Sequence, residues 1–482
     1  MDKYISNKFI NNNCKIMNFL LFRSQIEINK PGTTDYGYGT ETHPPLGLLY
    51  VAASLENDGH KVEIIDLSFE NPTEEMLSKK LSKTDIIGME VYSDNYKNVA
   101  NYTKMLKKIN PNIPIIIGGP HCIFFQEKSI EHIPDSDIAI IGEGESTIID
   151  IVRYFQGQKK LCDINNIYYK ENNSIKSGKP LNVIENVDTL PFPARHLVEK
   201  YDYDILPRAY LYKKKLTLME TSRGCPFRCR FCSRYQNFIK GYGYRQRSAE
   251  NVVKEILEID KSYGAVLIVD DNFLADKKRA HRIFDMLIDY KTDIEILIMG
   301  ARVDSADREL YQKMKKANVT FIGFGIESGN QDVLDFYNKK ISLDQIKKAV
   351  KIARDVGFQT EGTIMLGAPI ETKNHLKKTI KFINSLPLDF AIYTVLKYYK
   401  GSSLWFEAIN KEEIDKDEFC ITAGSRKGLG NFTSKQLIEF SRRAYRSFYI
   451  RPRYIFDQFR LSIIRKDFTK FKNSLSLLNS IK

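Results

Sequence analysis

Apolar and polar residues alternate along the first third of the chain in short runs of strand length separated by runs of helical spacing. The apolar strand-like runs occupy residues 16–24, 61–67, 84–92, 113–119 and 136–145. Helical spacing covers residues 44–60, 98–111 and 146–155. Repeated strand–helix–strand units favour an open parallel sheet, because each crossover helix packs back onto the sheet. Ligands of such sheets bind where the strands end, and the strings IIGGPH and IGEGES lie at two of these ends.

A second alternating series follows a looser stretch at 168–197, which has the pattern of a small hairpin and a proline-containing linker. Its six strand-like runs occupy residues 216–224, 265–272, 294–302, 320–329, 359–369 and 389–396. Six strand–helix units predict a partial barrel, whose chemistry lies on the loops at the C-terminal ends of the strands. From about residue 400 the pattern is helical, with a capping box at Thr433 and Gln436.

These patterns predict an α/β protein built from several parts, as the length of 482 residues allows. We expect an N-terminal doubly wound, Rossmann-like parallel-sheet domain and a partial (β/α)6 barrel of the TIM type, followed by a small helical domain. The predicted boundaries are 1–165 for the first domain, 166–210 for the hairpin and linker, 211–400 for the barrel and 401–482 for the basic helical domain.

The C-terminal tail differs from the rest of the chain in its excess of positive charge. The formal net charge is +13, and from Arg426 to the end fourteen Lys or Arg residues face only three acids. The rest of the chain is nearly neutral, which argues against a nucleic-acid partner for the main body. The polar N-terminus lacks a secretory signal, no apolar run reaches the ~18 residues of a membrane span, and seven cysteines form no disulfide framework in so long a chain. We therefore expect a cytoplasmic protein.

The string CPFRCRFC places Cys225, Cys229 and Cys232 on the loop after the first barrel strand. Three thiolates can hold three irons of a four-iron cluster and leave the fourth iron for a ligand that is not protein, whereas clusters that only carry electrons usually have four. A zinc site would need a fourth Cys or His nearby, and the nearest histidine is His196, across the linker. Zinc and a purely structural role for the thiols are the alternatives.

The stretch TSRGCPFRCRFCS resembles the signature of radical S-adenosylmethionine (SAM) enzymes. The resemblance implies a [4Fe–4S] cluster whose open iron binds the amino and carboxylate groups of SAM, which is then cleaved to methionine and a 5′-deoxyadenosyl radical. It also implies SAM contacts from the aromatic residue before the last cysteine and from the ends of later barrel strands. These candidates are Phe231, Asp270, Asp271, Asn272, Arg302, Glu327 and Ser328. For each strand-end residue the alternative is a helix cap or an ion pair.

The first domain resembles the cobalamin-binding domain of cobalamin-dependent radical SAM proteins, through the strings PPLGLLYVAASLENDGHKVEIID, IIIGGPH and IGEGES. The resemblance implies that loop glycines and neighbouring polar residues contact the corrinoid. These candidates are Ser93, Asn95, Gly118, Gly119, His121, Gly142, Glu143 and Gly144. The string Asp-x-His-x-x-Gly, which supplies a histidine to cobalt in many cobalamin enzymes, does not occur, so we assign no axial histidine. A domain that has lost the cofactor and serves as a scaffold is the alternative.

With both cofactors, the resemblance implies an anaerobic enzyme that transfers methyl to an unactivated carbon of a small-molecule or lipid-like substrate. An electron donor such as flavodoxin or ferredoxin is then required. One alternative is a radical cyclase or another oxidative rearrangement in the porphyrin-cyclase-like branch. Another is a tRNA methylthiotransferase, although its first domain would need three clustered cysteines and Cys14, Cys122 and Cys162 are scattered. A third is a non-catalytic, metal-stabilised binding protein.

The basic tail has two interpretations. It either forms a helical cap on the barrel with a solvated basic face, or it contacts a lipid-borne substrate or a membrane surface. Arg442, Arg443 and Arg446 alternate with aromatic residues there, which is compatible with both.

Overall fold

The chain folds into two compact units in the computed structural model, which describes residues 16–24, 43–203 and 215–464. Of the described residues, the first unit comprises 16–24, 44–203 and 234–242. The second comprises 43, 215–233 and 243–464. A short piece of chain, Arg234–Tyr242, therefore lies in the first unit although the residues on both sides of it belong to the second.

A seven-stranded sheet forms the centre of the first unit. Its strands are β1 (Asn18–Arg23), β2 (Lys61–Asp66), β3 (Ile86–Glu90), β4 (Ile115–Gly118), β5 (Ile138–Ile140), β6 (Ile167–Glu171) and β7 (Ser174–Ser177). They lie in the order β2-β1-β3-β4-β5-β6-β7. The first five are parallel, and the β6–β7 hairpin extends the sheet in antiparallel pairing. The strand order changes direction between β1 and β3, which is where ligands of such sheets bind, outside the carboxyl ends.

Helices cover both faces of this sheet. They are α1 (Leu46–Asn57), α2 (Glu74–Leu81), α3 (Tyr96–Ile109), α4 (Pro120–Phe125), α5 (Lys128–His132) and α6 (Gly144–Phe155). Phe19 and Leu21 of β1 pack into the core with α1 and α6, while Leu20 and Phe22 pack into the core with α2 and α3. Successive side chains of a strand point to opposite faces, so a strand buried on both faces is apolar throughout. This is the reason that the run at 16–24 predicted a strand.

The second unit is built around six parallel strands. Its strands are β8 (Leu216–Met219), β9 (Ser222–Arg223), β10 (Arg245–Gln246), β11 (Ala265–Ile268), β12 (Glu295–Ala301), β13 (Val319–Glu327), β14 (Gln359–Leu366), β15 (Phe390–Val395), β16 (Lys397–Tyr399) and β17 (Cys420–Thr422). The main sheet has the order β15-β14-β13-β12-β11-β8, and β15 does not pair with β8. It is therefore an open, partial barrel. β9 pairs with β10, and β16 with β17, in small antiparallel ladders.

The helices of the second unit are α7 (Ala249–Asp260), α8 (Lys277–Tyr290), α9 (Arg308–Lys316), α10 (Gln331–Phe336), α11 (Leu343–Val356), α12 (Lys373–Ser385), α13 (Ser403–Asn410), α14 (Ser434–Tyr449) and α15 (Pro452–Ile464). Those between the strands share one core with the outward side chains of the sheet, as Phe284 of α8 does with Ile298 and Phe324. The predicted capping box at Thr433 and Gln436 is present at the start of α14.

The predicted fold class is confirmed, with two corrections of detail. The short helices α2, α4 and α5 were not predicted, because elements of five to eight residues show too little of a helical period. The C-terminal part is not purely helical, because Cys420–Thr422 pairs with Lys397–Tyr399. Within the described ranges, no helix combines the length and the apolar character needed to cross a bilayer.

Candidate functional site

The three clustered cysteines lie on the loop that follows β8 and β9. Cys229 is buried, Cys225 is half-buried and Cys232 is exposed. Backbone hydrogen bonds fix this cysteine loop. The Arg230 N–H donates to the Tyr337 carbonyl at 3.0 Å, and the Cys232 N–H donates to the Cys229 carbonyl at 3.2 Å. The protein therefore holds the loop through its own backbone.

The electrostatic surroundings favour thiolate at Cys229 alone: burial raises the pKa of Cys225, and the hydrogen bond to Cys229 raises the pKa of Cys232. A hydrogen bond from the Cys232 thiol, together with the charges of Lys339 and Arg302, lowers the pKa of Cys229 to about 6. Among the described residues, no three His, Cys, Asp or Glu side chains lie close enough together to bind one metal ion. A four-iron cluster binds each thiolate through a different iron.

Asp270, the first of the three polar residues after β11, lies at the base of the cysteine loop. Its carboxylate accepts hydrogen bonds from the Thr221 N–H at 2.6 Å, the Thr221 hydroxyl at 2.5 Å and the Ser222 hydroxyl at 2.6 Å. Arg279 lies 3.8 Å from the same carboxylate. All four residues are buried. Both carboxylate oxygens of Asp270 thus accept hydrogen bonds from the protein itself. These bonds fix residues Thr221 and Ser222, which lead into the cysteine loop.

The next two residues, Asp271 and Asn272, have different surroundings. Asp271 is exposed at the carboxyl end of β11. Asn272 is 1% exposed, and its Oδ1 has no hydrogen-bond partner among the described residues. A buried polar atom without a partner costs about 1–3 kcal/mol. This oxygen therefore fits a donor on a ligand, such as the amino group that the resemblance to radical SAM enzymes brings to this strand end.

Arg302 follows β12 and lies against the cysteine loop. Its guanidinium carbon is 3.6 Å from the centre of the Phe227 ring, a cation–π contact. Nε and Nη2 donate to the two oxygens of Asp304 at 3.0 and 2.8 Å, and Nη2 also donates to the Lys339 carbonyl at 2.8 Å. A SAM carboxylate that binds Arg302 must therefore share the guanidinium with Asp304 or displace it.

Lys339 is a site residue that the sequence analysis did not identify. Its ammonium donates to Glu327 Oε1 at 2.6 Å, and the two side chains are only 8% and 9% exposed. The same ammonium lies 5.7 Å from the centre of the Phe231 ring. Glu327 ends β13 with a φ of +67°, a conformation that residues other than glycine rarely adopt and that often marks functional sites. The pair therefore places a buried cation beside the cysteines.

Ser328 and Phe231, the other two predicted SAM contacts, lie in different places. Ser328 is fully buried, with its hydroxyl 3.3 Å from the Thr379 hydroxyl, and it accepts the Asn330 N–H at 3.2 Å. It therefore stabilises the turn after β13. Phe231 is half-buried, with its ring edge-on to Tyr337 at 5.1 Å. The described contacts gather Phe231, Arg302 and Glu327 around the cysteine loop, and they do not bring Ser328 there.

Glu371, after β14, is a second residue that sequence reasoning missed. Its Oε2 accepts the Gly367 N–H at 2.6 Å and the Ala368 N–H at 2.9 Å. Burial raises the pKa of Glu371 to about 7, and Oε1 has no partner among the described residues. The carboxyl group thus fixes the backbone at the end of this strand.

The stability of the protein should fall as the pH rises from about 4.5, the ordinary pKa of glutamate, to about 7, the value for Glu371. In this interval the folded protein keeps a proton that the unfolded chain has lost, so each rise in pH favours unfolding, by about 3 kcal/mol in total. Glu371→Gln stays neutral and should lack this contribution. Free energies of unfolding of both proteins at pH 5 and pH 8 measure the difference, and equal pH dependence would contradict the raised pKa.

In the first unit, the loops after β3 and β4 bring Ser93 and His121 together. His121 is fully buried; its Nδ1 lies 3.2 Å from Ser93 Oγ, and its Nε2 lies 3.1 Å from His132 Nδ1. The Tyr96 ring stacks on the imidazole at 4.8 Å. Both nitrogens of His121 therefore have partners within the protein, while Ser93 is half-buried at the strand ends.

Asn95 and Glu143 organise the loops at the same sheet edge. Asn95 accepts the Tyr92 N–H at 2.9 Å and donates to the Ser24 hydroxyl at 2.7 Å. Glu143 accepts the Ile184 N–H at 2.7 Å. These contacts give both side chains a structural role in shaping the edge.

The predicted corrinoid glycines differ in what excludes a side chain. At Gly119, with a φ of +117°, a Cβ would lie 2.8 Å from the Val91 carbonyl oxygen, so the protein's own backbone requires glycine. At Gly118 the nearest atom to a Cβ would be Ile140 Cβ at 3.8 Å, an ordinary contact, so the protein's own packing does not require glycine there. At the other two glycines, Gly142 and Gly144, an added Cβ would lie close to side chains of the first unit.

Comparisons with known proteins agree with this arrangement. Residues 38–152 match the B12 binding domain, and residues 219–383 match the radical SAM superfamily. An uncharacterized methyltransferase of Pyrococcus horikoshii is 33% identical over 86% of this chain and 89% of its own length. The anaerobic magnesium-protoporphyrin IX monomethyl ester cyclase of Rubrivivax gelatinosus is 26% identical over 77% of this chain and 67% of its own. The structure of the cobalamin-dependent S-adenosylmethionine radical enzyme OxsB, with aqua-cobalamin and S-adenosylmethionine bound, has a similar fold, with a TM-score of 0.71, 18% identity and coverage of 95% of this chain and 72% of that one.

The fold, the cysteine loop and the two family matches identify the class of protein, which is a radical enzyme with a corrinoid domain. The chain belongs to the radical SAM superfamily, among the members that carry a B12-binding domain. Its cofactors are a [4Fe–4S] cluster, SAM and cobalamin. The residues present fit these groups, because a fixed loop presents three thiols, the Asn272 oxygen has no partner among the described residues, and the protein's own packing does not require glycine at Gly118.

Proposed function

We propose that the protein transfers a methyl group to an unactivated carbon of a small or lipid-like molecule. The observation that carries this proposal is that one chain combines the three-thiol loop with a parallel sheet whose strand order changes direction between β1 and β3. When bound, the cluster supplies the electron that cleaves SAM to methionine and a 5′-deoxyadenosyl radical, and cobalamin carries the methyl group. The 33% identity to a methyltransferase supports this reaction over others.

The residues of the second unit bind and orient SAM in this proposal. Asp271 and the unpartnered oxygen of Asn272 accept hydrogen bonds from its amino group. Arg302 supplies the charge that faces its carboxylate, and Glu371 holds the backbone that meets adenine. Phe231 packs on Tyr337 directly before the last cysteine, where it would meet SAM.

A cyclisation or another oxidative rearrangement is the second candidate function. It is favoured by the 26% identity over 77% of this chain to a magnesium-protoporphyrin cyclase. A methylthiotransferase is less well supported, because it needs a second cluster in the first unit. There, Cys122 is buried in the core, where burial raises its pKa to about 12, and Cys162 is exposed. Cys14 lies outside the described residues.

We infer the partners and the compartment from the same chemistry. Cleavage of SAM requires a one-electron donor such as flavodoxin or ferredoxin. A reducing, cytoplasmic location fits thiols that serve as cluster ligands, since such thiols persist where disulfides do not form. Contact of the tail with a membrane surface or a lipid-borne substrate is supported by the exposed side chains of Phe456 and Ile463 on α15, on the same helix as Arg460.

SAM labelled in its methyl group tests the proposal. The reduced protein with bound cobalamin is incubated anaerobically with a metabolite extract from a strain that lacks it. Label is expected in the cobalamin fraction and then in one product, while 5′-deoxyadenosine accumulates. An oxidised or cyclised product without label would favour the second candidate function. No label in cobalamin would contradict methyl transfer by this route.

Gly118→Val should weaken cobalamin binding, because the protein itself accommodates a Cβ there and the larger side chain would extend toward the position proposed for the corrinoid. Forcing extra carbons into an occupied space costs about 1–3 kcal/mol, which is about 5–150-fold in the Kd of cobalamin. Absorbance titration with hydroxocobalamin measures it. Ala100→Val, which enlarges a half-buried residue of α3, is the matched control. Unchanged affinity in Gly118→Val would place the corrinoid elsewhere.

A further inference from the structure

Arg234–Tyr242, which we name the connecting segment, lies in the first unit, although its neighbours in the chain belong to the second. It begins two residues after Cys232 and ends before Gly243. Its base is fixed within the second unit on both sides. The Ser233 hydroxyl donates to the Lys400 carbonyl at 2.6 Å, and β10, just after the segment, pairs with β9.

Both ends of the connecting segment adjoin the cysteine loop. At its start, Ser233 directly follows Cys232. At its end, the Gly243 carbonyl is so close to Gly224 that a Cβ on Gly224 would lie 2.8 Å from it, and Gly224 directly precedes Cys225. The connecting segment is therefore continuous with both ends of the loop that holds the cluster.

The middle of the connecting segment packs on loops at the strand ends of the first unit. The Phe238 ring is edge-on to Phe124 at 5.3 Å, and Tyr235 lies 5.5 Å from the same ring. Phe124 belongs to α4, directly after β4. Ile239 is 1% exposed, and its Cδ1 would lie 2.9 Å from a Cβ on Gly142, after β5. The segment thus contacts the two glycine loops assigned to the corrinoid.

We propose that the connecting segment couples cobalamin binding in the first unit to the geometry of the cysteine loop, with Phe238 and Ile239 as positioning residues. The inference rests on the proposed function, because it needs a corrinoid on the loops after β4 and β5. A ligand that orders these loops restrains the segment, and the segment restrains the cysteines. By linkage, cobalamin then changes the affinity for SAM by the same factor by which SAM changes the affinity for cobalamin.

Equilibrium binding to the holoprotein with an oxidised cluster, which binds SAM without cleaving it, tests the coupling. The Kd of SAM is measured with and without hydroxocobalamin, and the Kd of hydroxocobalamin with and without SAM. The two factors should be equal in the wild type and about 5-fold or larger, as is typical of coupled sites. Phe238→Ala, which removes the contact with Phe124, should bring both factors close to one while the iron content stays at the wild-type level.

Two further variants separate positioning from general damage. Phe238→Leu keeps an apolar contact with Phe124 and should retain most of the coupling. Phe406→Ala removes an aromatic ring that is 37% exposed on α13 and should retain all of it. If Phe238→Ala does not keep its iron, Ile239→Val, a change of one methylene, is measured instead and should reduce both factors.

The outcomes distinguish this inference from the proposed function. If the wild type binds both cobalamin and SAM, and neither ligand changes the Kd of the other, the coupling is wrong but the proposed function stands. Wild-type coupling that persists in Phe238→Ala or in Ile239→Val overturns the role of the connecting segment. A wild-type protein that binds no hydroxocobalamin overturns the proposed function, and the inference with it.

Discussion

A protein in which Cys225, Cys229 and Cys232 are all replaced by alanine is expected to contain no iron–sulfur cluster and to cleave no SAM. The wild type, reconstituted anaerobically, should be brown and contain about four irons and four sulfides, because three thiolates and SAM complete the ligands of one cluster. Iron and sulfide analysis, the visible spectrum and the yield of 5′-deoxyadenosine measure the effect. The loss should be complete, since the cysteine loop supplies all of the protein ligands.

Cysteines outside the loop provide the matched controls. Cys162→Ala removes an exposed thiol of the first unit and Cys122→Ala a buried one; both should leave the iron content unchanged. If Cys162→Ala lost iron, a second cluster and the methylthiotransferase alternative would regain support. If the triple variant still produced 5′-deoxyadenosine, the radical SAM chemistry would have to be assigned to other residues.

The parts of this structure that the sequence predicted are those encoded by neighbouring residues. Residues 19–22 of β1 and 115–117 of β4 are all apolar because both faces of the sheet are buried there, so each appears as one continuous run. The cysteine spacing is likewise local, since all three thiols lie on one loop. The three-residue strand Cys420–Thr422 is too short to show alternation, and only its pairing with Lys397–Tyr399 defines it.

The parts that the sequence did not predict depend on contacts between distant residues. Asp270 and Asp271 are adjacent and chemically identical, but Asp270 bonds to Thr221 and Ser222 almost fifty residues earlier, whereas Asp271 is exposed. Glu371 acts on the backbone of its own loop, a role that its position after a strand does not reveal. Burial decides each of these roles, and burial follows only from the folded arrangement.

Lys339→Met is expected to destabilise the protein much more than Lys339→Met combined with Glu327→Leu. The single change leaves the Glu327 carboxylate buried without the ammonium that lies 2.6 Å from it, and loss of one partner of a buried pair costs about 3–5 kcal/mol. The double change buries two apolar side chains of similar size, which is often neutral or stabilising relative to the pair. Urea unfolding of the cluster-free protein gives the free energies of unfolding.

Lys340→Met is the control for the loss of a lysine, because Lys340 is the exposed neighbour of Lys339 and shares its loop. It should change the free energy of unfolding by no more than about 0.5 kcal/mol, as surface substitutions usually do. The ordering of the four proteins carries the test. A double variant as unstable as Lys339→Met would mean that the loss comes from packing around Lys339. A single variant as stable as the wild type would mean that Glu327 is hydrated or protonated once the ammonium is gone, and that the ion pair contributes little to stability.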